Sequence, residues 1–293
     1  MAAAANEVVL RDGRTLSYLE RGDEAGKPVF VLHASLGSKL LYAPHVADAT
    51  RRGIRLIGHD RAGYGDSSAK PGRAVVDEAA DVLALADELG IDRFAVWGNS
   101  TGGSLALACG AKCGDRLVGV ASIAGVAPFP AEGLDWFSGV DPEIISDYNF
   151  YRTDPVAWRR KMTADVGAMK NTTVEQMRAS LSNTPSAPDR SVLSPELVEF
   201  ACAQLRDGLS HGPEGWIDDY VSGLTPWGFE LGSITTPLLL WHGLDDPMVP
   251  RSHANWLAGR LPRAEVRLEP NEGHVSLFAN KIPEVHAWLL SHF

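Results

Sequence analysis

The chain has 293 residues, and 27 Lys and Arg against 37 Asp and Glu leave a net charge of −10 with histidine neutral. That length suits one large α/β domain with an insertion, or two ordinary domains, and 45% hydrophobic with 22% charged residues excludes a disordered chain. The acidic balance argues against nucleic acid or an anionic membrane as partner, and no apolar run approaches the ~18 residues that span a bilayer. Met1–Leu10 has neither a basic nor an apolar leader segment, so a cytoplasmic protein is expected. Three cysteines cannot all pair. Cys109 and Cys113 lie four apart with no His-rich ligand set nearby, so all three, Cys202 included, read as buried thiols in a reducing compartment.

Beyond a short alanine run at residues 2–5, no low-complexity tract or repeat occurs. The early chain reads as a hairpin, Glu7–Leu10 and Thr15–Glu20 about a turn at Asp12-Gly13. Buried strands are predicted at Pro28–Leu32 and Ile54–Ile57. Val76 to Leu89 follows at helical spacing, with Gly90 as its stop. Phe94–Trp97 reads as a strand, Gly102–Ala111 as a small-residue helix and Leu117–Ala124 as a strand. This alternation implies right-handed crossovers and a mostly parallel sheet flanked by helices. The rhythm breaks at Pro128. Up to Phe229 the pattern is helical, interrupted at Pro185, Pro188, Pro195 and Pro213, and it holds 12 of the 23 aromatic residues. Alternation resumes at Pro237–Trp241 and Ala264–Leu268 and ends on a helix over Pro283–Phe293. Residues 1–127 and 230–293 therefore read as one α/β core, and 128–229 as a helical cap inserted over the carboxyl edge of its sheet.

Gly98-Asn99-Ser100-Thr101-Gly102-Gly103 fits G-x-S-x-G, with a strand before it and a helix after it. So sharp a strand-to-helix turn lifts the serine hydroxyl above the sheet, and its glycines let neighbouring backbone approach. The helix N-terminus then faces any developing oxyanion. A serine hydroxyl needs a base to take its proton. His274 is the best placed, between the last strand and the last helix, where it can reach over the sheet edge. His33, His59 and His242 end strands on that edge and would be held by packing. The base needs a carboxylate to fix its tautomer, and after strand Pro237–Trp241 either Asp245 or Asp246 could serve. Serine, acid, histidine is then the order along the chain.

With those residues in place, the sequence resembles the α/β-hydrolase superfamily, as a capped serine hydrolase, over essentially its whole length. The family element G-x-x-D-x-x-V-P is similar to Gly243, Asp246, Val249 and Pro250, which chooses Asp246 over Asp245. Its C-terminal G-H matches Gly273-His274, and its D-R-x-G-x-G-x-S matches Asp60 to Ser67, where Asp60 and Arg61 are read as structural. The resemblance implies a Ser100–Asp246–His274 triad with an oxyanion hole formed by the Ser35 and Thr101 backbone N–H groups. One departure is Ala34, which stands where the family has glycine.

Most aromatics of the insertion should form its own core, and some should face the cleft. Trp136, Phe137, Tyr148, Trp158 and Trp216 are the candidate lining of an apolar substrate pocket. The leading expectation is hydrolysis of a carboxylic ester or lactone of a small apolar molecule through an acyl-enzyme on Ser100. The elbow also resembles that of the ring-cleavage-product hydrolases, which cleave a carbon–carbon bond, although His33-Ala34-Ser35 lacks their glycine-rich oxyanion stretch. A ligand-binding receptor on a hydrolase fold is a third expectation, weakened by the intact triad. No metal or organic cofactor is implied, because the triad supplies base and electrophile. The expected partner is a small-molecule substrate, with no nucleic acid or membrane, and the chain is expected to be a monomer or homodimer.

Overall fold

The computed structural model describes residues 5–293, so residues 2–4 of the alanine run lie outside it. In chain order the first half runs β1 (Asn6–Val9), β2 (Thr15–Gly22), β3 (Lys27–Leu32), α1 (Ala43–Arg51), β4 (Ile54–His59), α2 (Asp77–Glu88), β5 (Phe94–Asn99), α3 (Thr101–Lys112) and β6 (Leu117–Ile123). Six helices follow: α4 (Pro142–Thr153), α5 (Pro155–Met169), α6 (Val174–Ser182), α7 (Ala187–Ser191), α8 (Pro195–Gly208) and α9 (Glu214–Gly223). The chain ends with β7 (Leu238–Gly243), α10 (Arg251–Ala258), β8 (Glu265–Glu269) and α11 (His274–Leu290). Among the described residues no strand lies between β6 and β7. We refer to α4–α9 and their connections as the lid.

The eight strands form one sheet in the order β1-β2-β4-β3-β5-β6-β7-β8. The hairpin pairs Val9 with Thr15, and β2 also runs antiparallel to β4. All other neighbours are parallel. Period-two alternation explains why the sheet is covered on both faces. Phe30 and Leu32 of β3, with Phe94 and Val96 of β5, point into the core beneath α2, α3 and α10. Val29, Val31, Ala95 and Trp97 point the other way, into the core beneath α1 and α11. After β3 the chain builds outward through β4 and then returns to place β5 on the other side of β3. That reversal opens a crevice at the carboxyl ends of β3 and β5, the usual ligand position in such sheets.

The three cysteines are free and buried. The helical pattern is interrupted before Pro195 as expected, and Pro195 starts α8: Ser194 Oγ accepts the Leu197 N–H at 3.1 Å, and proline fits the first helical turn, where no backbone acceptor is available. One reading of the sequence needs correction. The last helix begins at His274, nine residues before the expected Pro283, which lies inside it. Proline removes one helical N–H and crowds the preceding turn, yet α11 carries through because it is packed along the sheet by Leu277, Ile282, Val285 and Leu289.

Candidate active site

Ser100 sits between β5 and α3 with φ 58° and ψ −124°, a conformation a non-glycine residue adopts only under constraint. The constraint is close packing of backbone. A Cβ on Gly98 would lie 2.0 Å from the Gly102 carbonyl oxygen, and one on Gly102 would lie 2.1 Å from that of Leu32. Ser100 N–H donates to Ile123 O at 2.9 Å, tying the elbow to β6. The serine is thus raised at the carboxyl edge by packing that only glycine permits.

His274 Nδ1 donates to Asp246 Oδ2 at 2.7 Å. Asp246 Oδ1 accepts the Met248 and Val249 N–H groups, each at 2.8 Å, so one carboxylate oxygen is fixed by the loop and the other faces the imidazole. His242 Nε2 lies 3.8 Å from Asp246 and donates to Val249 O at 2.9 Å, so it braces the same loop. Asp245 points outward and is exposed. Burial would push the Asp246 carboxyl pKa up, but the adjoining His274 and its hydrogen bond outweigh this and hold it below the usual value. Burial conversely lowers the His274 pKa, and the charge and hydrogen bond of Asp246, with a smaller contribution from Asp189, bring it above the ordinary histidine value. Ser100 and His274 line one cavity. No hydrogen bond joins them among the described residues, as is common before substrate tightens such a site.

Ser35 follows β3 and Thr101 opens α3, where an N–H has no intrahelical acceptor. Their side chains are joined, Ser35 Oγ to Thr101 Oγ1, at 2.9 Å. Ala34 costs nothing where the resemblance expects glycine, because the left-handed residue of this loop is Leu36, with φ 62°. Ser35 is also held from the lid. Asp219 of α9 accepts from Ser35 Oγ at 3.2 Å, from the Tyr64 hydroxyl at 2.7 Å, and from Arg61 and Arg73. Burial opposes its ionisation, yet the two guanidinium groups hold its carboxyl well below the usual range. Arg61 also donates to His33 O, and together with burial its charge keeps His33 neutral. Asp60 binds the buried Lys39 ammonium at 2.8 Å. Asp60 and Arg61 are thus internal braces, and Asp219 joins the lid to the loop bearing Ser35. Asp219→Ala leaves Arg61 and Arg73 buried without their partner, which costs about 3–5 kcal/mol. The expected result is a matching fall in unfolding free energy by urea titration, and an unchanged midpoint would contradict it.

The cavity in front of Ser100 measures about 990 Å³. Its walls are mainly apolar and come from core and lid together, with Leu41, Trp97 and Phe278 facing Met177, Leu181 and Phe200. A second cavity of about 170 Å³ lies on the other side of Ser35, which lines both, and Thr101 borders this smaller one. The five candidate pocket aromatics divide among three places. Trp216 lines both cavities. Trp136, Phe137 and Tyr148 line the smaller one and pack with Phe129 and with one another at ring separations of 4.7–5.7 Å. Trp158 was expected in the pocket but lines neither cavity: it is 1% exposed and packs inside the lid against Tyr151 and Tyr220. Its place on the inner face of α5, opposite α9, makes it lid core.

Several site residues escaped the sequence reading. Tyr42, Phe200 and Phe278 line the large cavity, but nothing in the spacing of single aromatics marks them. Asp219 had only a weak signal, an acid between Ile217 and Tyr220 that Asp218 beside it shares. Asp189, which reaches α11 from α7, had none.

Comparison with known proteins agrees with this architecture. A family model for the alpha/beta hydrolase fold matches residues 27–281. The chain is 27% identical over 277 residues to the dihydrolipoyllysine-residue acetyltransferase component of an acetoin cleaving system from Pseudomonas putida, covering 90% of this chain but only 62% of that protein. It is 25% identical over 288 residues to a 2-hydroxy-6-oxononadienedioate/2-hydroxy-6-oxononatrienedioate hydrolase of Cupriavidus pinatubonensis, covering 93% of this chain and 90% of that one. Among solved structures, a thermophilic esterase from Thermogutta terrifontis superposes with a TM-score of 0.69 at 20% identity, covering 99% of this chain and all of that one. With the sheet order, the elbow and the family match in agreement, the chain belongs to the α/β-hydrolase fold family and is an α/β-hydrolase enzyme.

Proposed function

We propose that the protein hydrolyses a carboxylic ester or lactone of a neutral, apolar substrate through an acyl-enzyme on Ser100. In this reading Ser100 Oγ attacks the carbonyl carbon while His274 Nε2 takes its proton, and Asp246 stabilises the imidazolium that forms. The carbonyl oxygen, now negative, accepts the Ser35 and Thr101 N–H groups. His274 returns the proton to the leaving alkoxide, the alcohol departs, and water attacks the acyl-enzyme by the same steps with His274 as base. The two cavities that meet at Ser35 suit a scissile carbonyl at their junction, with a small substituent toward Trp136 and a larger one toward Phe200.

The observation that carries the choice of a neutral substrate is the state of Lys39. It is the one Lys or Arg lining the large cavity among the described residues, and its ammonium is held by Asp60 at 2.8 Å and by Asp66 and Asp207 at 3.1 Å. Among the described residues no Lys or Arg lining this cavity is left free to receive a substrate carboxylate. The Cupriavidus relative is named for dioate substrates, which carry such groups. Carbon–carbon hydrolysis is the second reading, favoured by that relative and by the elbow Gly98-Asn99-Ser100-Thr101-Gly102-Gly103, and the engaged Lys39 weighs against it.

Purified protein assayed on p-nitrophenyl esters of increasing acyl length, and on vinylogous 1,5-diketone acids, tests both. The expected kcat/KM rises roughly fourfold per methylene, from about 0.8 kcal/mol of buried CH₂, then falls once the cavity is full. Phe200→Ala moves that optimum to longer chains. Turnover of the diketone acids in preference to every ester would replace this reading with the second. A flat ester profile, unmoved by Phe200→Ala or Trp136→Ala, would refute the apolar pocket.

A further inference from the structure

The first turn of α11, which begins with His274, is capped from a distant part of the chain. The Asp189 carboxylate of α7 accepts three successive backbone N–H groups, from His274 at 3.1 Å on Oδ2 and from Val275 and Ser276 at 2.9 and 2.8 Å on Oδ1. Asp189 is 1% exposed, and its own N–H is held by Ser186 Oγ at 3.3 Å. The fit leaves no room for a side chain at residue 273: a Cβ on Gly273 would lie 2.4 Å from Ser186 Oγ and 2.5 Å from Asp189 Oδ1. Locally, only Ser276 Oγ contributes, accepting the Gly273 N–H at 2.7 Å. The lid therefore supplies the acceptors that the start of this helix lacks.

We propose that Asp189 is a positioning residue for His274, holding the backbone and charge environment of the base so that its ring stays between Asp246 and Ser100 only while the lid is in place. This rests on the reading of Ser100 and His274 as nucleophile and base. Two features make the coupling specific. The three N–H groups belong to His274 and the two residues after it, so a shift of α7 moves the base directly. The helices on either side of α7 wall the large cavity, α6 with Met177 and Leu181, α8 with Leu197 and Phe200. A substrate that presses the walls apart therefore acts on the anchor of the base. The carboxylate also adds to the field at the ring. The charged or titratable groups facing His274 are Asp246 from the loop after β7, His242 from β7 and Asp189 from α7. Both carboxylates favour the protonated ring, so removing one lowers the pH at which His274 becomes a free base.

The test is the second-order rate of Ser100 labelling by a fluorophosphonate as a function of pH, in the full chain, for wild type, Asp189→Asn, Asp189→Ala, Asp189→Glu and Asp165→Asn. Wild type should label with an acid-side inflection raised from that of an ordinary histidine, because Asp246 outweighs the burial of the ring. Asp189→Asn should label on the order of tenfold more slowly at its plateau and with an inflection at lower pH. Asp189→Ala, losing acceptor and charge, should slow on the order of 10²-fold, the cost of a displacement near 1 Å. Asp189→Glu should restore the inflection, and Asp165→Asn, an exposed lid carboxylate paired with Lys161, should behave as wild type. If wild type does not label, the reading of Ser100 fails. If wild type labels and Asp189→Asn matches it in plateau rate and inflection, the inference about Asp189 is overturned. Should Asp189→Ala not fold, Asp189→Asn and Asp189→Glu still decide. A lowered Tm in Asp189→Asn with plateau rate and inflection unchanged also overturns it, reducing Asp189 to a structural cap.

Discussion

Ser100→Ala is expected to abolish covalent labelling by a fluorophosphonate and to reduce ester turnover on the order of 10⁴-fold or more. The reason lies in the backbone. The elbow holds residue 100 at φ 58° because Gly98 and Gly102 let the backbone of β3, β5 and α3 meet beneath it, and alanine accepts the same conformation at the same cost. The variant therefore removes one oxygen atom and leaves the fold, the cavities and the Asp246–His274 pair as they are. Unchanged thermal unfolding alongside lost activity separates chemistry from folding. Labelling of the alanine variant at the wild-type rate would sink the nucleophile assignment and, with it, the acyl-enzyme.

Asp246→Asn should cost on the order of 10⁴ in kcat, and Asp245→Asn should cost little. The two aspartates adjoin in sequence but differ in every physical respect. Asp246 is buried, fixed on one oxygen by two backbone N–H groups and bonded to His274 on the other. Asp245 is exposed. An amide at 246 can still accept the loop N–H groups, but its other end then faces the imidazole with an NH₂. The ring must turn its lone pair toward Asp246, which leaves Nε2 protonated and unable to accept the Ser100 proton. A pH–rate profile checks this further: removal of the Asp246 charge lowers the pKa of the ring, so residual activity should persist to lower pH than in wild type. Equal losses at 245 and 246 would refute the assignment.

How far the chain could be read without its structure depends on how local each determinant is. The central strands of the sheet were legible because each is a short apolar run with its own turn signals. Their alternation with helices already implied a parallel sheet. The elbow was legible for the same reason: Gly98, Ser100 and Gly102 are neighbours in sequence, and the close approach that needs glycine follows from strand, turn and helix together. Asp246 was separated from Asp245 only through the resemblance to the family element G-x-x-D-x-x-V-P, and the loop bears that element out locally, since Asp246 accepts the Met248 and Val249 N–H groups two and three residues on.

What the sequence left open are interactions between distant segments. The start of α11 was misplaced at Pro283 because its cap is not beside it: Asp189 lies 85 residues before His274, and no local pattern announces so remote an acceptor. Asp219 meets Arg61 and Ser35 across 158 and 184 residues for the same reason. The aromatics of the lid were legible as a group, but their division was not. Helical periodicity says which side chains share a face, and only the packing of α5 against α9 turns Trp158 inward while leaving Trp216 between the two cavities. The sequence by itself determined the strands and the elbow, whose geometry is set within short stretches of chain, and the family resemblance named the candidate triad. The tertiary structure decided the shape of the pocket, the engagement of Lys39 by three carboxylates, and the two lid aspartates that hold the Ser35 loop and the start of α11, because each depends on charges and packing surfaces that only folding brings together.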